Sequence, residues 1–381
     1  MIPYGHQSIS QSDIDAVTTV LTSDYLTQGP QVPMFESAVA TVTRAEYAVA
    51  GNSATSMLHV ACLALGVLQQ DIVWTSPITF VASANCALYC GAKVDFVDVD
   101  PLTGNMCAVA LANKLQEAKK QGCLPKVIIP VHLCGHSCNM DVIGTLAKQY
   151  GVRVIEDASH AIGGKYQDQY IGQCQYSDIT VFSFHPVKII TTAEGGVATT
   201  NCAELAKAMV LYRSHGVTRD KDMMLRPDEG DWYYEQHFLG FNYRMTDLQA
   251  ALGNSQITRL DEFVAKRNQL ARRYHFLLKD TGVEFVSPLD NTLSAYHLMM
   301  ILLPKNIARK VVFDAMRAAG ICVHVHYFPV HLQPYYLNLG FAEHDFPQAE
   351  HFYRHCLTLP LYPDLSDEQL VFIAETLKGL L

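Results

Sequence analysis

Between about residues 45 and 200, short apolar runs alternate with longer segments whose apolar positions recur at helical spacing. The apolar runs fall at 71–74, 94–99, 127–131, 152–156, 179–182 and 196–199; the helix-like segments fall at 80–89, 108–120 and 142–150. Strands that are apolar on both faces are covered on both faces, and strand–helix alternation of this kind builds a mostly parallel α/β sheet. Upstream, Ser12 with Asp15 three residues on reads as a capping box opening a helix over 12–21. The stretch LTQGPQVP at 26–33 reads as a loop, because Gly29-Pro30 and Pro33 interrupt regular structure. After Asp247 the texture changes. Residues 247–279 read as helix broken near Leu260, and 283–381 mixes strands at 295–303 and 321–326 with helices at 307–319 and 366–380. The expected organisation is an N-terminal segment with a large α/β domain over 1–250, followed by connecting helices and a small α+β domain over 251–381.

Composition narrows the class. The 381 residues are 49% hydrophobic and only 17% charged, against roughly 25% charged for an average soluble domain. A large core is affordable, and a disordered chain or a small disulfide scaffold is excluded. The net charge of −9 and the lack of a long basic block argue against nucleic acid as a partner. So few charges for the size also hint at surface hidden in an oligomer. Eleven cysteines, among them Cys62, Cys86 and Cys90, lie scattered in apolar stretches and suit reduced thiols. The start MIPYGHQSIS lacks a signal-peptide pattern, and no apolar run reaches membrane-spanning length, so a cytoplasmic enzyme is expected.

Common motifs are absent: no Walker A loop, no GxGxxG after the first strand, no HExxH. The segment HLCGHSC brings His132, Cys134, His136 and Cys138 within seven residues. Zinc sites normally combine ligand pairs from two segments, and no second pair is evident, so no metal is expected. His351 and His355, four apart on a helix, read as surface or interface histidines.

Three segments carry chemistry together. VIEDASHA places Asp157 at the end of an apolar strand; VFSFHPVK runs from a strand through Ser183 to Lys188; TTAEGGV at 191–197 turns into the next strand. In a parallel α/β sheet the C-terminal strand ends converge on one crevice, so Asp157 and Lys188 can meet there. Pyridoxal phosphate needs such a pair: the lysine amine bonds to the aldehyde, and the acid holds the ring nitrogen protonated. Gly51-Asn52-Ser53-Ala54-Thr55-Ser56 opens a helix-like run over 57–65, which offers free N–H groups and a favourable dipole to a phosphate. Taken singly, such an acid is more often a helix cap, such a lysine a surface charge and such a serine-rich start only a cap. The order of all three is what is specific.

These segments, with SPITFVASAN, YRSHG and FNYRMTDLQAALG, resemble the DegT/DnrJ/EryC1/StrS family of nucleotide-sugar aminotransferases from about Ile2 to the C-terminus. The resemblance implies the fold-type I, aspartate-aminotransferase-like architecture and pyridoxal 5'-phosphate as cofactor. It implies that Lys188 carries the cofactor, where some relatives have a histidine and act as dehydratases. It further implies Asp157 as partner of the ring nitrogen, His160 near the ring hydroxyl and Phe80 stacked on the ring. Ala54, Thr55 and Ser183 would contact the phosphate, with Asn242 reaching it from the other subunit of a homodimer. Tyr4, Tyr25, Leu26, Thr27, His326 and Tyr327 would bind the sugar nucleotide. The segments IPYG, SDYLTQGP, NSATS and VHYFPVHLQPYY resemble most the branch serving pseudaminic acid biosynthesis. That branch uses L-glutamate to aminate C4 of a UDP-linked 4-keto-6-deoxy-N-acetylhexosamine. Other sugars on the same fold (UDP-4-keto-arabinose, or a GDP- or dTDP-linked keto-sugar) and a non-catalytic regulator stay open as alternatives. Cys134 and Cys138 depart from the family pattern.

Overall fold

The computed structural model describes all 381 residues. Helix α1 (Gln11–Leu21) opens with a capping box two residues earlier than the sequence pattern suggested: Ser10 is the N-cap and Asp13 its reciprocal partner. Both S-x-x-D pairs are available. Asp13 prevails because it is buried and bound by Ser255 and Gln256 and by an ion pair with Arg259, whereas Asp15 meets only the exposed Gln11. The expected loop 26–33 is also shorter, since α2 (Gln31–Thr43) contains Pro33 in its first turn. The first four N–H groups of a helix have no intrahelical acceptor, so a proline costs little there. Asp247 anchors this turn by accepting from the N–H groups of Gly29 and Gln31 at 3.0 and 3.1 Å.

The central sheet takes strands β1 (Tyr47–Gly51), β2 (Ile72–Thr75), β3 (Lys93–Phe96), β4 (Val127–Ile129) and β5 (Arg153–Asp157). After a short hairpin of β6 (Lys165–Tyr166) and β7 (Gln169–Tyr170) it adds β8 (Ile179–Ser183) and β9 (Gly196–Thr200). Its order is β1-β9-β8-β5-β4-β2-β3, and only β9 runs against its neighbours. The mostly parallel sheet is therefore as expected. Helices α3 (Ala54–Ala64), α4 (Ala82–Tyr89), α5 (Ala108–Gln121), α6 (Met140–Tyr150) and α7 (Ala203–Arg213) flank it. Every residue of β4, β8 and β9 is buried, which is what their unbroken apolar runs require.

A hairpin of β10 (Val217–Thr218) and β11 (Glu235–Gln236) precedes α8 (Asp247–Ile257) and α9 (Leu260–Leu278), with the break at Leu260 where expected. The C-terminal layer is a small antiparallel sheet of β12 (Glu284–Phe285), β14 (Met299–Leu302) and β15 (Cys356–Leu359), while β13 (Thr292–Leu293) pairs with β6. It packs with α9, α10 (Arg309–Ala318) and α13 (Asp367–Lys378); a short α11 (Pro334–Leu337) and α12 (Pro347–His355) lie between. The expected strand 295–303 is confined to β14, because His297 instead donates its N–H to Cys134. Residues 321–326 form only isolated bridges, Ile321 to Ile2 and His324 to Thr358. The N-terminus is thereby sewn to this layer: Ile2 donates to Gly320 and accepts from Cys322, both at 2.8 Å. No helix is long and apolar enough to cross a membrane.

Candidate active site

Where β1, β5 and β8 end, the chain leaves a cavity of about 500 Å³. Ten of the fourteen residues singled out from the sequence line it: Tyr4, Ala54, Thr55, Phe80, Asp157, His160, Ser183, Lys188, His326 and Tyr327. They come from six separate stretches of chain, brought together by the topology of the sheet.

Asp157 closes β5 and is buried. One carboxylate oxygen accepts from the Ser159 N–H at 3.1 Å and its hydroxyl at 2.6 Å; the other accepts from the Ser83 hydroxyl at 2.6 Å. The side chain is thus held rigidly by three donors, with α4 supplying one of them. Lys188 lies five residues beyond β8 and has no ion-pair partner. Burial pulls its amine down to about 8, against the opposing pull of the Asp157 carboxylate. About a tenth of the amine is therefore free at pH 7, far more than for a solvated lysine, as a nucleophilic lysine requires.

Two histidines of the cavity, His160 and His326, are neutral. Burial, reinforced by the charge of Lys188, pushes His160 well below its ordinary range, and burial does the same to His326. Tyr327 lies with its hydroxyl 3.3 Å from His160 Nε2, while His160 Nδ1 is buried without a partner. His326 Nδ1 meets the Thr358 hydroxyl at 2.9 Å, and its ring stacks on His324 with centroids 4.5 Å apart. Tyr4 packs against both rings. Phe80 stands at the cavity mouth, 59% exposed, and approaches Tyr327.

An anion cradle lies at the start of α3. Ser53 caps the helix by accepting from the Ser56 N–H at 3.1 Å, which leaves the Ala54 and Thr55 N–H groups without an internal acceptor. Gly196 closes this cradle from below: a Cβ there would lie 2.4 Å from the Ala54 nitrogen. A neutral histidine with an unpartnered nitrogen, a lysine opposite a braced carboxylate and bare N–H groups at a helix start fit pyridoxal phosphate. When bound, that group supplies an aldehyde for the amine and a protonated ring that takes up electrons.

Tyr25, Leu26, Thr27 and Asn242 do not reach the cavity. They share a different, exposed surface, where Thr27 bridges to Thr246, Leu26 accepts from Asp247, and Asn242 bridges to Ser214. Sequence reasoning missed Ser83 and Ser159, the braces of Asp157, and also Thr79, His185 and Glu194 of the lining. Ser159, two residues past Asp157, carried a signal in the tendency of such hydroxyls to bond a neighbouring carboxylate; Ser83, 74 positions away, carried none.

The histidine–cysteine segment is explained by burial. Its four candidate ligands are buried, and the ring nitrogens of both histidines and the Cys138 thiol are bonded elsewhere. His132 accepts the Cys138 N–H on Nδ1 at 3.1 Å, so its Nε2 carries the proton toward Glu156 at 2.7 Å. His136 bonds Ser294 and the Val286 carbonyl. The segment buckles the cleft loop to the strand beneath and to residues 286–298. Six of the eleven cysteines, Cys90 among them, are only partly buried.

Solved structures superpose over the whole chain. Helicobacter pylori PseC, an aminotransferase involved in the biosynthesis of pseudoaminic acid, matches with a TM-score of 0.91 at 31% identity, covering 100% of this chain and 98% of its own. The PLP-form of Spr1654 from Streptococcus pneumoniae, a putative sugar aminotransferase, matches with a TM-score of 0.90 at 29% identity, over 100% and 98%. Fold and cavity together define a fold-type I aminotransferase of the PLP-dependent class. The relatives agree: a UDP-4-amino-4,6-dideoxy-N-acetyl-beta-L-altrosamine transaminase of Campylobacter jejuni is 38% identical over 385 residues, 100% of this chain and 98% of that protein. The spore coat polysaccharide biosynthesis protein SpsC of Bacillus subtilis is 35% identical over 100% and 97%. The pattern of the DegT/DnrJ/EryC1/StrS aminotransferase family matches residues 7–378, and the chain belongs to that family.

Proposed function

We propose that this protein moves the amino group of L-glutamate to C4 of UDP-2-acetamido-2,6-dideoxy-beta-L-arabino-hexos-4-ulose, with pyridoxal phosphate as resident cofactor. The observation that carries the reading is the pairing of Lys188 with the braced Asp157 in one cavity. The 38% identity to the Campylobacter altrosamine transaminase supports the choice of sugar. Lys188 Nζ is the one lysine amine lining the cavity. As a free amine it takes the proton from the α-carbon of the donor and later delivers one to C4 of the sugar, which is general acid–base catalysis by a single group. Asp157, braced at the cavity floor, would be the residue to hold the ring nitrogen. His160 and His326, held neutral by burial, are far weaker bases than Lys188 and do not compete for the proton it carries. The exposed surface of Tyr25, Leu26, Thr27 and Asn242 serves the cavity of a second copy, so the working unit is a homodimer with shared sites. The test is mass spectrometry of products from UDP-, GDP- and dTDP-linked 4-keto sugars, each with glutamate. Preferred amination of the UDP-N-acetylhexosulose supports the reading; preferred turnover of another sugar, or turnover of none, refutes it.

A further inference from the structure

The interface between α3 and α4, one to two helical turns along from Leu58 and Ala82 of the cavity lining, holds a cluster of thiols that the aminotransferase chemistry does not use. Cys86 and Cys90 are one helical turn apart at the end of α4, and Cys62 of α3 faces them. The sulfurs of Cys62 and Cys86 are 3.8 Å apart, and Cys62 neighbours Cys90 as well. Cys62 and Cys86 are buried, while Cys90 is partly open to solvent. His59, one turn before Cys62, stands beside Cys90. Its Nδ1 meets the Tyr243 hydroxyl at 3.3 Å, and its Nε2 is buried without any hydrogen-bond partner. A reachable thiol, a vacant imidazole nitrogen and a second thiol beside it are the three parts of a thiol oxidation site.

We propose that Cys90 is a site of reversible oxidation by peroxide, resolved as a disulfide with Cys62. The thiolate of Cys90 attacks one peroxide oxygen; the O–O bond breaks, and the departing hydroxide takes up the proton first given to His59 and leaves as water. The resulting sulfenic acid is attacked by the Cys62 sulfur; the S–O bond breaks, and the second water leaves with the Cys62 proton. Two thiols lose two electrons, and one peroxide becomes two waters. The cluster favours the first step, since the Cys62 thiol donating to Cys90, with His59, holds the Cys90 thiol below its ordinary range against the opposing effect of burial. The second step joins the two neighbouring sulfurs at a bond length of about 2.05 Å.

The experiment uses the full-length, cofactor-loaded protein with equimolar hydrogen peroxide at neutral pH. No lysine or arginine lies between Arg44 and Lys93, so trypsin leaves all three cysteines on one peptide; chymotrypsin, cutting after Phe80 and Tyr89, separates them. The expected result is loss of two hydrogens per chain, a Cys62–Cys90 cross-linked peptide and full reversal by dithiothreitol. Cys90 should react roughly ten times faster than the partly buried Cys123, since the cluster raises its thiolate fraction. Its rate should level off by about pH 7, a readout that needs no variant. Cys90→Ser should abolish the mass loss, and His59→Gln should slow it several-fold. Unchanged oxidation in Cys90→Ser, a dominant Cys62–Cys86 bridge, or a Cys90 no faster than Cys123 would each overturn the proposal.

Discussion

Replacing Asp157 by Asn separates the charge at the cavity floor from its shape. The amide is nearly isosteric, and the hydrogen-bond pattern can be rebuilt around it. The amide oxygen keeps both donors of Ser159, while the amide nitrogen faces Ser83. The Ser83 hydroxyl then accepts instead of donating and turns its own hydrogen toward Thr79, whose oxygen is 2.7 Å away. The fold should therefore survive, and the missing quantity is the negative charge opposite the ring nitrogen. Breaking one partner of a buried ionic pair costs about 3–5 kcal/mol, which at 1.36 kcal/mol per decade is a loss of roughly 150- to 5,000-fold in rate. The assay is rapid mixing of the cofactor-loaded variant with saturating glutamate, following the bleaching of the cofactor band, beside a thermal melt as a control for folding. A first half-reaction within tenfold of the parent, in a variant that still holds cofactor, would refute the role assigned to the charge.

Capture of an aldehyde by cofactor-free protein should rise with pH around a midpoint near 8, because the free amine of Lys188 is the nucleophile and burial has brought its titration down to about 8; borohydride trapping against pH measures it, and a midpoint near that of a solvated lysine would count against the site. Gly196→Ala drives a methyl group into the backbone of Ala54 and should weaken cofactor binding at least tenfold, read by equilibrium dialysis, with a loss of about 1–3 kcal/mol in stability typical of overpacking. Mixing Lys188→Ala with Asn242→Ala should restore part of the activity on subunit exchange, since one site of the mixed dimer would carry neither lesion; no recovery would place Asn242 within its own chain's site. Tyr25→Ala and Tyr327→Phe should raise KM for the keto-sugar and leave the glutamate half-reaction nearly unchanged, a split that steady-state and single-turnover kinetics resolve.

The large sheet was legible because both-face burial forces unbroken apolar runs such as Ile179–Ser183, and such runs do not depend on distant neighbours. The cavity floor was legible for a related reason: Asp157, Ser183 and Lys188 sit at or just past strand ends, where chain position alone implies convergence. What escaped was decided by tertiary partners. Asp13 outcompetes Asp15 for the cap because Arg259 lies across from it. Residues 295–298 leave the expected strand because the 134–135 loop takes their hydrogen bonds. The strand Cys356–Leu359 is too short to announce itself, and it owes its register to β14. HLCGHSC looked like metal chemistry because its ring nitrogens are unassigned in a sequence. In the fold Glu156, Ser294 and the backbone of Val286 and Cys138 assign them.

The tether of the N-terminus to the C-terminal layer has a consequence for biosynthesis. Tyr4 is part of the cavity wall, yet the groups that fix it are the backbone of Gly320 and Cys322 through Ile2, and the N–H of Leu361, which donates to Tyr4 itself at 3.0 Å. Residues 2–4 thus wait for more than three hundred later residues before they have a place to dock. Contacts of such sequence separation form late, and domains otherwise fold as units during synthesis. The sheet and its cofactor cradle, built from residues 47–200, have their own strands complete long before that. Assembly of this enzyme therefore has an intrinsic order: the chemistry at Lys188 and Asp157 is shaped first, and the wall at Tyr4 is added only after residues 320–361 have been made.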